Sequence, residues 1–353
     1  MTDSLNIAER TVKYVGFESA NSFVKVFCNG KSVTYANTAS KAPKETFNKV
    51  DKADKNATDI VYEIGEERLN VGKTKNYVSS GGGSIERYNG TPYYMESLIA
   101  IAQFAKDGDN LVVCTGIPSD HYRDKEKATE YIINALRREH TIVIDGEART
   151  FNIIRVHVTL QPLATFFYTV IDEFGESNED MITRYEDTET LVIDIGWGTT
   201  DLAHLLGSSL TSDPIKIDTA MKSAYEEILE RLREKAPKGD PIKTGSVKLL
   251  DMEKQLRKSD TFKFSNNEYP VGDLKKLVFK KVAENILAEI NNYRNLTQFT
   301  TVIFTGGGTS ALLEIFKEKL ADKEGKFPEN VFLMNNAQDA NAKGYYVYAK
   351  YLQ

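Results

Sequence analysis

Two cysteines, Cys28 and Cys114, and four histidines stand among 353 residues. Two thiols cannot frame a disulfide-stapled fold, and His121, His140, His157 and His204 are too scattered for a zinc-type motif. An excess of basic charge is missing too. Lys and Arg number 45 against 51 Asp and Glu, a net charge of −6, which argues against a surface that tracks nucleic acid directly. No apolar run approaches the ~20 residues of a membrane span, and the longest candidate, residues 98–105, is interrupted by Gln103. The chain opens without a secretory leader pattern, so the expected compartment is the cytoplasm. There is no G-x-x-x-x-G-K-[ST] phosphate loop and no G-x-S-x-G nucleophile elbow, which sets aside P-loop and α/β-hydrolase chemistry.

What is present describes a folded chain, 41% hydrophobic and 27% charged, and long enough to favour two lobes over one core. The most informative stretch is Leu191-Val192-Ile193-Asp194-Ile195-Gly196-Trp197-Gly198-Thr199-Thr200-Asp201. An apolar strand ends in a carboxylate, turns through two glycines and two threonines, and returns as a strand. Glycine lets backbone approach a ligand, successive turn amides attract anions, and a strand-end carboxylate can hold a divalent cation through water. An ordinary Gly-rich hairpin would look similar. Half a chain earlier, Glu18-Ser19-Ala20-Asn21-Ser22 repeats the pattern of strand, acid and small-residue turn, which suggests two related lobes.

Around these motifs, strands are expected at 12–18, 23–27 and 110–115, with hairpins at 60–73 and 141–154 and a further strand over 155–160. Residues 36–58 and the glycine run 79–84 read as exposed irregular segments. Helical spacing recurs over 94–106, 125–138, 163–171 and 216–235. Residues 172–190 hold eight acids and read as a solvated connector. A small hairpin is expected about 265–267, then a long helix from Asp273 to about Tyr293. Residues 301–305 form a strand, Gly306-Gly307-Gly308-Thr309-Ser310 a turn, and 311–320 a helix. Residues 331–334 form a last strand before a terminal helix over 336–351. Its small residues Ala337, Ala340, Ala342 and Gly344 would let another helix cross closely. Gly306 to Ala311 fits the dinucleotide pattern G-x-G-x-x-A, but too little chain follows to complete a Rossmann unit.

Two acid-led hairpins, a late GGG turn and Asn336-Ala337-Gln338-Asp339-Ala340-Asn341-Ala342-Lys343-Gly344-Tyr345 together resemble the actin-like ATPase superfamily, and within it ParM-like actins that segregate plasmids. The resemblance implies an α/β fold of two related lobes, each a mixed sheet flanked by helices, with a nucleotide cleft between them. Residues 1–165 plus 337–353 would form one lobe and 166–336 the other. ATP or GTP would bind with Mg²⁺, held through water by Asp194 and Glu18. Asn21, Ser22, Phe23, Lys25, Gly196, Gly198, Thr199 and Thr200 would surround the phosphates, with Gly306, Gly307 and Gly308 on the adenosine side. Gln161, before Pro162, would orient the attacking water. Expected partners are further copies of the chain in a filament and an adaptor bound to a centromere-like plasmid site, with no direct nucleic acid and no membrane. The first hairpin departs from the family pattern D-x-G-N-G-x-x-K: Glu18 replaces Asp, and Ala20 and Ser22 replace Gly. That departure keeps open an assembly protein with little hydrolysis, beside a small-molecule kinase of the same fold.

Overall fold

The computed structural model describes residues 12–42, 60–73, 83–334 and 337–353. The expectations for residues 1–10, 43–58, 79–82 and Asn336 fall outside them. The described residues build two large sheets and a separate two-stranded one. The first contains β1 (Val12–Ser19), β2 (Phe23–Cys28), β3 (Lys31–Ala36), β4 (Ala39–Lys41), β5 (Tyr62–Ile64), β6 (Glu67–Val71), β7 (Asn110–Ile117), β8 (Glu139–Ile144) and β9 (Glu147–Leu160). Its order is β3-β2-β1-β7-β9-β8-β5-β6-β4. Strand β1 is apolar on both sides because both faces of the sheet are covered. Val15 and Phe17 pack toward α1 (Thr91–Ala102) and α2 (Lys125–Leu136), which share their core cluster.

After α3 (Gln161–Val170) and α4 (Glu179–Tyr185), the second sheet begins with β10 (Glu189–Ile195), β11 (Thr200–Leu206), β12 (Ser209–Leu210) and β13 (Ile215–Ile217). Helices α5 (Met221–Lys235), α6 (Pro241–Thr244) and α7 (Leu249–Leu256) follow, then the small hairpin β14 (Thr261–Phe264) and β15 (Asn267–Pro270). Long α8 (Gly272–Tyr293) leads to β16 (Thr301–Thr305), α9 (Gly306–Leu320), β17 (Val331–Leu333) and α10 (Ala340–Tyr351). The order is β12-β11-β10-β16-β17, with β13 also on β11.

The two sheets repeat one wiring. In each, a hairpin places an antiparallel partner on one side of its first strand and a parallel strand on the other: β2 and β7 about β1, β11 and β16 about β10. A further parallel strand follows, β9 or β17, and then a helix, α3 or α10. Those two helices cross where side chains are smallest. A Cβ added to Gly344 would lie 1.8 Å from the Ala164 carbonyl oxygen, and one added to Gly16 would lie 2.1 Å from that of Ala342. Terminal helix α10 is thereby clamped between α3 and β1, as the small-residue stripe suggested.

Several expectations are corrected. Residues 150–160 are one strand: an extra residue, Ile154, between the positions paired with Leu111 and Val112 breaks the alternation without ending the strand. The acidic connector contains α4, whose first turn is capped by the Asn178 side chain and whose Tyr185 is buried against Phe166. Helix α5 begins only at Met221, because residues 215–217 pair with β11. Gly306, Gly307 and Gly308 are the opening of α9, not a separate turn.

Candidate functional site

The repeated wiring brings the ends of β1 and β10 together, and with them two acids. Glu18 and Asp194 are 5% and 6% exposed and meet over Asn341 of α10. The Asn341 Nδ2 donates to Asp194 Oδ2 at 2.8 Å and, at 3.4 Å, to Glu18 Oε1. Asn341 Oδ1 accepts from Thr165 Oγ1 at 2.8 Å, and that hydroxyl lies 2.9 Å from Thr305 Oγ1. Lys25, directly across the hairpin from Glu18, donates to Glu18 Oε2 at 2.6 Å. Two acids therefore share one cation and one amide. Burial first, and then the charge of Glu18, push the Asp194 carboxyl up to about 7, against the pull of Asn341 and Lys25.

Above this base opens a cleft of ≈ 890 Å³, its mouth included, lined by both hairpins, Gln161, Gly307 and Gly308. At the second tip the Gly196 N–H donates to the Thr199 carbonyl at 2.9 Å, and a Cβ on Gly198 would meet nothing within 4 Å. Neither glycine has positive φ, so what they give is access to the backbone. Thr199 Oγ1 donates to Asp201 Oδ2 at 2.9 Å, and Asp201 Oδ1 accepts from the Ser119 amide at 3.0 Å, tying the segment after β7 to β11. Burial raises the Asp201 carboxyl against those bonds.

At the first tip, Asn37 holds the carbonyls of Ala20 and Ser22, each at 2.7 Å. Ala20, Asn21 and Ser22 all keep negative φ, so side chains where the family pattern has glycine do not strain the turn. Asn21, Ser22, Phe23, Lys25, Thr199 and Gly198 line the cleft together with Glu18 and Asp194. Two expected residues stand apart. The Thr200 hydroxyl is buried and donates to the Thr219 carbonyl, facing away. Gly306 sits behind Asp194, where a Cβ would lie 2.2 Å from Asp194 Oδ1; it makes room for the carboxylate and does not line the cleft.

The second wall was not anticipated. Glu253 on α7 is 2% exposed, and its Oε1 accepts from Arg257 Nε and Nη2 at 3.0 and 2.6 Å. Its other oxygen is buried without a hydrogen-bond partner among the described residues. Arg257 also donates to Gln338 Oε1 at 3.0 Å and lies 5.3 Å from the Phe23 ring, so it reaches the opposite hairpin. Burial raises the Glu253 carboxyl, with Arg257 opposing. Trp197 stacks on Tyr225 of α5, centroids 5.5 Å apart, at the foot of this wall. The signal for the pair was a Glu and an Arg four residues apart on an apolar-periodic segment.

Among the described residues no three His, Cys, Asp or Glu side chains converge as a metal cage. The donor set still suits Mg²⁺, which keeps several waters and takes one or two carboxylates plus phosphate oxygens. Glu18 and Asp194 supply that number, and the upward push on Asp194 marks an uncompensated negative charge that a cation would relieve. No helix among the described residues is long and apolar enough to cross a membrane.

Residues 21–163 match the family model for the N-terminal domain of actin-like proteins, and residues 192–318 that for the C-terminal domain of archaeal MreB-like actin homologues. No curated protein matches the chain. Among solved structures, the apo ParM of pSK41 is 19% identical over 97% of this chain and 98% of its own, with a TM-score of 0.66. An archaeal actin homologue in complex with ADP is 19% identical over 96% and 99%, with a TM-score of 0.71. A 15-stranded ParM filament from Clostridium botulinum is 17% identical over 96% and 99%, with a TM-score of 0.75.

Proposed function

Since the chain is an actin-like protein, with ParM-type and archaeal actin homologues among its structural relatives, we propose that it binds a nucleoside triphosphate with Mg²⁺ in the cleft and polymerises. The observation that carries this reading is the convergence of Glu18 and Asp194, from equivalent strand ends of the two sheets, on Asn341 beneath a cleft walled by Gly196, Gly198, Gly307 and Gly308.

Each residue then has a task. Asp194 and Glu18 would hold Mg²⁺ through water, and the bound ion would neutralise phosphate charge. The Ser22 hydroxyl and the amides of the second tip face the phosphates, Thr199 adds its hydroxyl on turning from Asp201, and Lys25 contributes its charge while paired to Glu18. Gln161, at the first position of α3, orients the attacking water. Glu253 accepts a nucleoside N–H or O–H at its free oxygen, while Arg257 holds the carboxylate and covers the base side. Such catalysis is mostly positioning plus electrostatic stabilisation. Hydrolysis would weaken the filament-favouring form, provided the two nucleotides bind the two forms unequally.

The biological role we propose is segregation of plasmid DNA, with the acidic chain reaching DNA through a bound adaptor. A second reading, assembly with little hydrolysis, is favoured by one observation: Lys25 is already committed to Glu18 at 2.6 Å. Light scattering and electron microscopy with ATP, GTP, ADP or no nucleotide, alongside phosphate release, test both. Triphosphate-dependent filaments support the proposal, and phosphate release separates its two forms. Absence of filaments across protein concentration and salt would overturn it.

A further inference from the structure

Arg87 belongs to none of the motifs used so far. It stands on a short 3₁₀ turn, Ile85–Asn89, ahead of α1, and lines the cleft beside the first hairpin. Its side chain is only 11% exposed, yet all its polar contacts are long. Nη1 reaches Asn21 Oδ1 at 3.4 Å, Nη2 reaches the Ser19 carbonyl at 3.3 Å, and Glu96 Oε2 lies 3.6 Å away. Nε is buried without a hydrogen-bond partner among the described residues. The Glu96 oxygen it faces already accepts from Ser19 Oγ at 2.6 Å. The rings of Tyr88 and Tyr93, 5.7 and 5.8 Å from Cζ, hold the guanidinium in place.

The other two cations of the cleft are differently placed. Lys25 and Arg257 are each bonded at 2.6 Å to a buried carboxylate. Arg87 alone of the three holds its charge on long contacts, and a buried donor left short of partners is costly. It also sits beside the hairpin whose glycines are replaced by Ala20 and Ser22, where backbone approach to an anion is most hindered. A planar guanidinium with unfilled donors matches phosphate oxygens in a way that an ammonium does not.

We propose that Arg87 contacts the terminal phosphate of the bound nucleoside triphosphate and makes the cleft discriminate triphosphate from diphosphate. This rests on the nucleotide reading above. Turning from Asn21 and the Ser19 carbonyl toward a phosphate costs those long bonds and loosens the 3.6 Å pairing with Glu96, which keeps its bond from Ser19.

The test is calorimetric binding of ATP, ADP, GTP and GDP with Mg²⁺ to the full chain and to R87K, R87Q, E96Q and R87Q/E96Q. The double variant removes the buried acid that R87Q alone would strand, so that folding is preserved, and thermal melts verify it. In R87Q/E96Q the triphosphate affinity is expected to fall about ten- to hundredfold, the scale of a charge-assisted contact, while diphosphate affinity stays within about threefold. R87K should recover part of the loss, and E96Q alone should leave discrimination intact. Discrimination that survives in R87Q/E96Q, or equal loss of both nucleotide classes, would overturn the proposal and leave the nucleotide reading standing. Wild-type protein that binds none of the four would overturn both.

Discussion

Asp194 shows how one side chain links stability, pH and ligand. A free aspartate releases its proton near pH 4, whereas here the carboxyl is held up to about 7. Between those values the folded chain keeps a proton that the unfolded chain has lost, so stability without ligand falls as pH rises through that window. D194N keeps an oxygen for the Asn341 amide and removes the charge. We expect it to be more stable than wild type at pH 8, by on the order of 1–3 kcal/mol, with a smaller gain at pH 5. Urea unfolding at the two pH values measures this, and an equal or absent gain would show that Asp194 is not strained. The same charge should matter for ligand: Mg²⁺–ATP affinity is expected to rise from pH 6 to pH 8 in wild type and to be weak and flat in D194N. At the other wall, E253Q preserves shape while replacing a carboxylate oxygen with an amide. If Glu253 accepts from the nucleoside, the variant should bind ATP and ADP about tenfold more weakly and by similar factors, on the scale of one charged hydrogen bond. Unchanged affinity would remove Glu253 from the site.

Elements divide into those that announce themselves and those that do not. Both hairpins were legible because strand, acid and small-residue turn occupy consecutive positions, and the 261–270 hairpin because Ser265 and Asn266 accept the positive φ its turn demands. The crossing of α3 and α10 was legible on one side only: Gly344 marks a close approach, but nothing in the sequence names Ala164 as its neighbour. Glu253, Arg257 and Arg87 were missed for a related reason. They sit on or immediately after short elements, α7 and a 3₁₀ turn, whose place at the cleft is fixed by packing between distant segments and not by local pattern. Ile154 hid the continuity of β9 because an inserted residue inverts the alternation on which strand reading depends. The crossing also yields a test. In G344A the added methyl meets backbone, which cannot rotate away, so overpacking should cost about 1–3 kcal/mol or more. Denaturant unfolding of G344A beside an alanine substitution at exposed Lys317 would measure it; a loss no larger than the control would mean that the helices separate freely.

At the scale of the whole molecule, the question is how cleft contents are felt by both lobes. Asn341 is the point where they meet. It carries the strand-end acids of both sheets on its amide and, through Thr165, is linked to Thr305 at the end of β16. A change in cleft charge that pulls either carboxylate therefore acts on α10, which is itself wedged against α3 and β1 with no slack at Gly344 or Gly16. Small shifts at such a packed junction are transmitted as movement of one body against another, because close-packed interfaces do not deform continuously. N341A removes the amide that both acids share while leaving the hairpin tips and the second wall in place. It should lower stability, since buried acids lose a donor, and it should uncouple assembly from nucleotide state more than it weakens nucleotide binding. The measurement is the critical concentration for light scattering with ATP and with ADP, beside the affinity for each. We expect the ratio of the two critical concentrations to approach one in N341A while ATP affinity changes by less than about tenfold. If the chain assembles as proposed, a folded N341A that keeps the wild-type ratio would show that any coupling between cleft and assembly passes elsewhere, the Arg257 bridge to Phe23 and Gln338 being the next path to break.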